Sequence, residues 1–309
     1  MNNNRTLASP SLGSWSPLVS ILVAFASVAG YGVAYLAATL FAAFALHWVA
    51  PGAPKWSFLV SHGVLWIAGV LIVTWLMRTK INRAPWAGMA LAAPQLGRLL
   101  LGFVTGTSLL LSVFAVQHGL GWLRVSAIET LSAAGPRIAA ALLPSLGVGF
   151  CEELAFRGYI LQTLGERMPF WAAALFTALI FAMFHLTLGG FGPGFIVTVA
   201  CLSLVFTLLR VATGSLWFPI GFHAAWDWVQ TYLVGAANIG ARPEHDPALV
   251  HVTQSGPMLW VGQAPSIEGG LIYAIAVLGA LGVACAYSVA RGRLPLWALP
   301  LQPDGSQQG

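Results

Sequence analysis

Four stretches of otherwise apolar sequence carry ionisable side chains. They are Cys151-Glu152-Glu153-Leu154-Ala155-Phe156-Arg157, Phe181-Ala182-Met183-Phe184-His185, His223-Ala224-Ala225-Trp226-Asp227, and a lone His62 beside Ser61. Glu153 and Arg157 are four apart, in the favourable order for an ion pair along one helix face. Glu152 lies about 140° away from Arg157 around a helix and is free to face a cavity. His223 and Asp227 share a face at the same four-residue spacing, and His185 supplies a further polar arm. Carboxylates and histidines converging in apolar surroundings have the composition of a hydrolytic site: a base to deprotonate water, with donors or a metal to hold a developing oxyanion. A buried network that only locks helices together would more often use Ser, Thr and Asn. The isolated His62 is read as such a packing residue.

These residues must be positioned by membrane helices. Only 7% of the 309 residues are charged and 58% are hydrophobic, against roughly 25% charged residues in a soluble domain, and the mean hydropathy is +0.81. A water-soluble globule, a disordered chain and a nucleic-acid binder are excluded, since no basic run accompanies the net charge of +5. The expected fold is an all-α integral membrane bundle of about eight transmembrane helices around an intramembrane polar cavity. About 20 apolar residues span a bilayer core, and that unit recurs at Pro17–Trp48, Trp56–Met77, Leu99–Gly119, Ile138–Leu164, Pro169–Leu186, Gly194–Val211, Leu216–Val234 and Gly269–Ala290. Residues 1–309 form a single polytopic membrane domain on this reading, with a catalytic core over 138–234. The first apolar run is too long for a signal peptide. Gly235–Glu268 is a polar loop, Gly279 and Gly282 ease packing of the last span, and Cys151, Cys201 and Cys285 are buried packing residues. His47, His118 and Arg210 sit at span ends, within reach of the interface.

Charge placement sets the expected orientation, because Lys and Arg favour cytoplasmic segments. With the N-terminus inside, Arg5, Arg78, Lys80, Arg83, Arg98, Arg167, Arg210, Arg291 and Arg293 fall on the inner side. Lys55, Arg124, Arg137 and Arg242 fall outside. Both termini are then cytoplasmic. Arg outnumbers Lys 12 to 2, a usage that points to a bacterial source and an inner (cell) membrane location.

The three motifs Glu152-Glu153-x-x-x-Arg157, Phe181-x-x-x-His185 and His223-x-x-x-Asp227 resemble, in order and setting, those of the CAAX-protease and bacteriocin-processing membrane proteases, the Abi family. The eight-span count is similar to that of the eukaryotic CAAX prenyl protease. The resemblance implies a glutamate-dependent intramembrane endopeptidase acting on a peptide or protein substrate at the lipid bilayer. In it Glu152 and His185 activate water, while His223 and the residue four beyond it stabilise the oxyanion. The prenyl-protease branch has Asn where this chain has Asp227, and an ionised Asp cannot donate a hydrogen bond. Asp227 is therefore protonated, or orients His223, or helps bind a divalent metal. A metal-free mechanism is preferred, because no HExxH helix is present. Zn held by Glu152, His185 and His223 is the alternative. Two rival functions remain at this point: a polytopic transporter and a non-catalytic immunity or sorting factor built on the same polar cluster. Transporters tend to show two similar halves, whereas these motifs crowd the second half of the chain.

Overall fold

The computed structural model describes residues 16–49, 55–187, 192–236, 248–262, 267–292 and 301. Apolar runs wind into helices, since in an apolar environment a helix satisfies every backbone polar group within its own segment. In chain order they are α1 (Pro17–Val49), α2 (Lys55–Trp75), α3 (Leu96–Gly119), α4 (Leu131–Glu152), α5 (Leu161–Gly165), α6 (Phe170–Thr187), α7 (Gly192–Thr213), α8 (Trp217–Trp228), the single turn α9 (Met258–Val261) and α10 (Leu271–Ala290). A π-helical stretch, Glu153–Ile160, joins α4 to α5 without a break. Shorter ones extend α2 over Leu76–Ile81 and α8 over Val229–Leu233. Thr130 caps α4, its hydroxyl accepting from the Ala133 N–H at 3.3 Å.

Each of the eight expected spans corresponds to a helix, and the protein is an integral membrane helical bundle. Among the described residues, however, six helices are long and apolar enough to cross a membrane. The other two are shorter. Phe170–Leu186 falls just under span length, and the predicted Leu216–Val234 is realised as the 12-residue α8 followed by its π-helical turn. The reason lies in packing: α8 is buried continuously from Phe218 to Trp226, so its surroundings are other helices and its length is not set by the bilayer. Pro219 sits in the first turn of α8 and Pro169 directly precedes α6, positions where a missing N–H costs no helical hydrogen bond.

A second departure is a small antiparallel sheet. β1 (Leu123–Ile128) pairs with β2 (Val250–Gln254), Leu123 opposite Gln254 and Ile128 opposite Val250, with an irregularity between Val125 and Ala127. The alternation in Val250-His251-Val252-Thr253 signals a strand within what was expected to be loop. Cys285 is exposed and Cys201 half-buried; only Cys151 meets the packing expectation.

The core centres on the continuous helix formed by α4, the π-helical stretch and α5. Cys151, Leu154, Phe156, Tyr159, Leu161 and Leu164 pack with residues of α1 and α6, while a second cluster joins α3, α7, α8 and α10. The helix seams use glycines other than those expected. Gly279 and Gly282 have nothing within 4 Å of a would-be Cβ. At Gly102 and Gly221, by contrast, α3 and α8 approach so closely that a Cβ would run into the Phe218 and Leu99 carbonyls respectively. Across α8, Gly149 of α4 leaves 2.9 Å to the Ile220 carbonyl and 3.4 Å to the Cβ of His223. The short helix bearing His223 and Asp227 is thus gripped from two sides.

Candidate active site

Glu152 ends α4 and Glu153 opens the π-helical stretch. A π-helix widens the turn and is common at functional sites. Here it lies where two adjacent carboxylates must serve different partners. Glu153 and Arg157 are both fully buried, and Arg157 Nη1 donates to Glu153 Oε1 at 2.8 Å. The ion pair expected from their spacing is present.

Glu153 does more than neutralise Arg157. The same Oε1 lies 2.9 Å from His223 Nδ1 on α8. A carboxylate that accepts N–H at Nδ1 fixes both the ring orientation and the tautomer. The His223 nitrogen that faces Glu153 is Nδ1, while Asp227 lies on the side of the other nitrogen, Oδ2 to Nε2 at 3.8 Å. No sequence signal pairs Glu153 with His223, because their helices meet only in the folded bundle.

His185 is oriented within its own helix. Its Nδ1 lies 2.9 Å from the Phe181 carbonyl, and since a carbonyl only accepts, that nitrogen carries the proton and Nε2 faces outward. Nε2 points to Glu152 Oε2 at 4.0 Å, and His223 Nε2 lies 3.7 Å from the same oxygen. These separations exceed direct hydrogen bonds. Oε2 of Glu152 is buried and has no hydrogen-bond partner among the described residues. One carboxylate oxygen, two imidazole nitrogens and the Asp227 carboxylate thus converge.

Of the remaining polar positions, the side chains of His47 and His62 lie outside the described residues. His118 Nδ1 meets the Leu123 carbonyl at 3.0 Å. Arg210, expected to reach the interface, is instead fully buried, its Nη2 donating to the Gly88 carbonyl and to Gln162 Oε1, each at 2.9 Å.

For metal chemistry the arrangement gives no support. Among the described residues, no three His, Cys, Asp or Glu side chains are grouped so as to hold an ion, and the Zn set Glu152, His185 and His223 is not met. A metalloprotease-like reading is therefore unsupported.

Residues 134–229 match the Rce1-like family, described as Type II CAAX prenyl endopeptidase Rce1-like. The chain carries an Rce1-like segment. It runs from the first turns of α4 to the end of α8 and contains Glu152, Glu153, Arg157, His185, His223 and Asp227. The family drawn from the three motifs is the one matched, and the Rce1-like match supports a CAAX-type membrane protease. No curated protein matches the chain.

Proposed function

We propose that this protein is an intramembrane endopeptidase that cleaves a peptide bond of a membrane-associated substrate, with Glu152 as the general base on water. The observation that carries the reading is the convergence of the His185 and His223 Nε2 atoms, at 4.0 and 3.7 Å, on one Glu152 oxygen. Glu152 and the lone pair of His185 Nε2 hold a water between them. Glu152 takes its proton as the hydroxyl attacks the scissile carbonyl carbon. The carbonyl oxygen gains the displaced electron pair and is met by the Nε2–H of His223, whose Nδ1–H is already engaged by Glu153. Glu152 then returns the proton to the leaving amine as the C–N bond breaks, so that one peptide bond and one water yield a carboxylic acid and an amine. Asp227 borders the oxyanion position. As a neutral acid it donates; as an anion it holds His223 in its two-donor form. Glu153 and Arg157 position His223.

The substrate reading is a peptide or protein at the bilayer, such as a leader peptide, a bacteriocin precursor or a C-terminal sorting signal. The setting is a bacterial cell membrane with both termini cytoplasmic. Comparative terminal-peptide mass spectrometry of cells with the intact protein and with Glu152→Gln tests the activity. New termini present only with the intact protein are the expected result. Identical termini in both strains, with the variant inserted at normal level, would sink the glutamate-base reading.

A further inference from the structure

Among the described residues, no oxygen accepts from some of the donors of Arg157. It is fully buried, and while Nη1 donates to Glu153, Nε and Nη2 have no hydrogen-bond partner among the described residues. Rings surround it instead. The guanidinium carbon lies 4.3 Å from the Phe181 ring centroid and 4.8 Å from that of Phe206. Phe181 belongs to one of the three motifs; Phe206, in the body of α7, belongs to none. The Phe206 ring also stacks on His223, at 4.9 Å between centroids and 14° between planes. One ring therefore touches both ends of the chain Arg157, Glu153, His223. Phe206 is itself fully buried, and the Phe222 ring abuts it at 5.6 Å in an edge-to-face contact.

We propose that Phe206 is a positioning residue of the site: its ring fixes the plane of His223 and supplies the electron-rich face that Arg157 lacks oxygens to replace. The attraction of a guanidinium for a ring face is strongest where water is excluded, and an aromatic stack restricts the neighbouring ring's tilt. The torsion that turns an imidazole about its own axis has broad wells, so the Glu153 hydrogen bond alone leaves His223 able to tilt. Stacking on Phe206 removes that freedom and keeps Nε2 directed at Glu152 and Asp227. Only the consequence for cleavage rests on the endopeptidase reading; the ring geometry does not.

The test uses full-length protein in lipid nanodiscs with isotope-labelled histidine and arginine, the His223 signals being assigned by their loss in His223→Gln. Phe206→Leu keeps an apolar helix former but removes the ring. The His223 ring-proton signals are expected to lose their upfield ring-current shift and to broaden over several orientations. Glu152-dependent cleavage is expected to fall about tenfold. A ring-trifluorinated phenylalanine at position 206, nearly isosteric but with a weakened negative face, should retain the His223 shift and displace the Arg157 N–H signal. Unchanged His223 signals in folded Phe206→Leu would overturn the proposal. Should Phe206→Leu fail to fold, an unmoved Arg157 signal in the fluorinated variant overturns it. Shifted His223 signals without any Glu152-dependent cleavage would uphold the positioning role while refuting the endopeptidase reading.

Discussion

Glu152 and Glu153 are chemically alike, adjacent and buried, yet their neighbours give them different tasks. Glu153 accepts from Arg157 and faces His223 Nδ1 through one oxygen, whereas Glu152 turns toward two imidazoles an oxygen that has no hydrogen-bond partner among the described residues. The first assignment is local and follows from helical periodicity, which is why the Glu153–Arg157 pair is legible from spacing alone. The link to His223 is tertiary and is not. Removing Arg157 leaves Glu153 as a buried carboxylate with half its partners, and breaking a buried pair in this way costs about 3–5 kcal/mol. Arg157→Ala should therefore lower the thermal unfolding midpoint markedly in detergent, and equal midpoints would refute a stabilising pair. Asp227 gives a second prediction. Its Oδ2 sits on the Nε2 side of His223, where an Asn amide can donate as the neutral acid would. Asp227→Asn is expected to keep activity within about tenfold of the unaltered protein, with little effect of chelators. A tightly bound zinc in purified active protein, together with inactivity of both Asp227→Asn and chelator-treated samples, would restore the metal alternative.

At the scale of elements, the order and type of the helices are legible because hydropathy reports where the chain must hydrogen-bond to itself. Lengths are less so. The apolar run Leu216–Val234 reads as a span, but a helix enclosed by protein is just as apolar as one facing lipid, and α8 is the enclosed kind. The π-helical stretch carrying Glu153 and Arg157 also leaves no trace in composition. What grips α8 is backbone proximity at glycines, and this yields a paired prediction. Gly149→Ala places a Cβ 2.9 Å from the Ile220 carbonyl and 3.0 Å from the Ala224 nitrogen, atoms that move only if α8 moves. Such overpacking costs about 1–3 kcal/mol, and because the same Cβ presses toward His223, cleavage should fall too. Gly279→Ala has open space around it and removes a flexible residue from a helix interior, so it should be neutral or stabilising by up to about 1 kcal/mol. Thermal midpoints of the two variants, measured side by side, decide the matter; equal destabilisation by both would refute the packing account of the glycine seams.

At the scale of the whole molecule, contacts between helix ends bear on the topology drawn from charge. Arg78 follows the second span, Glu166 follows the fourth and Arg210 lies in the last turn of the sixth, so alternating passes put all three on one side. They do meet: Arg78 Nη2 lies 2.6 Å from Glu166 Oε1, and Arg210 donates to Gln162, whose Nε2 donates to the same Glu166 oxygen. On the opposite side, β1 follows the third span and β2 the seventh, and the two strands pair. These contacts are those that alternating passes from the second span to the seventh would bring together, even though α6 and α8 are short. Burial of Arg78 and Arg210 was not legible, because a cation at a span end reads as interfacial until a partner helix covers it. Contacts fix relative sides only; which side is cytoplasmic rests on the basic-residue asymmetry. With Cys285 replaced by Ser, a cysteine at Thr253 in β2 should react with a membrane-impermeant maleimide added to intact cells, while one at exposed Lys80 should react only after permeabilisation. The reverse pattern would invert the orientation and place the basic end outside. Labelling of both sites in intact cells would contradict the alternation itself, because the strand pair and the Arg78–Glu166 end would then share one face.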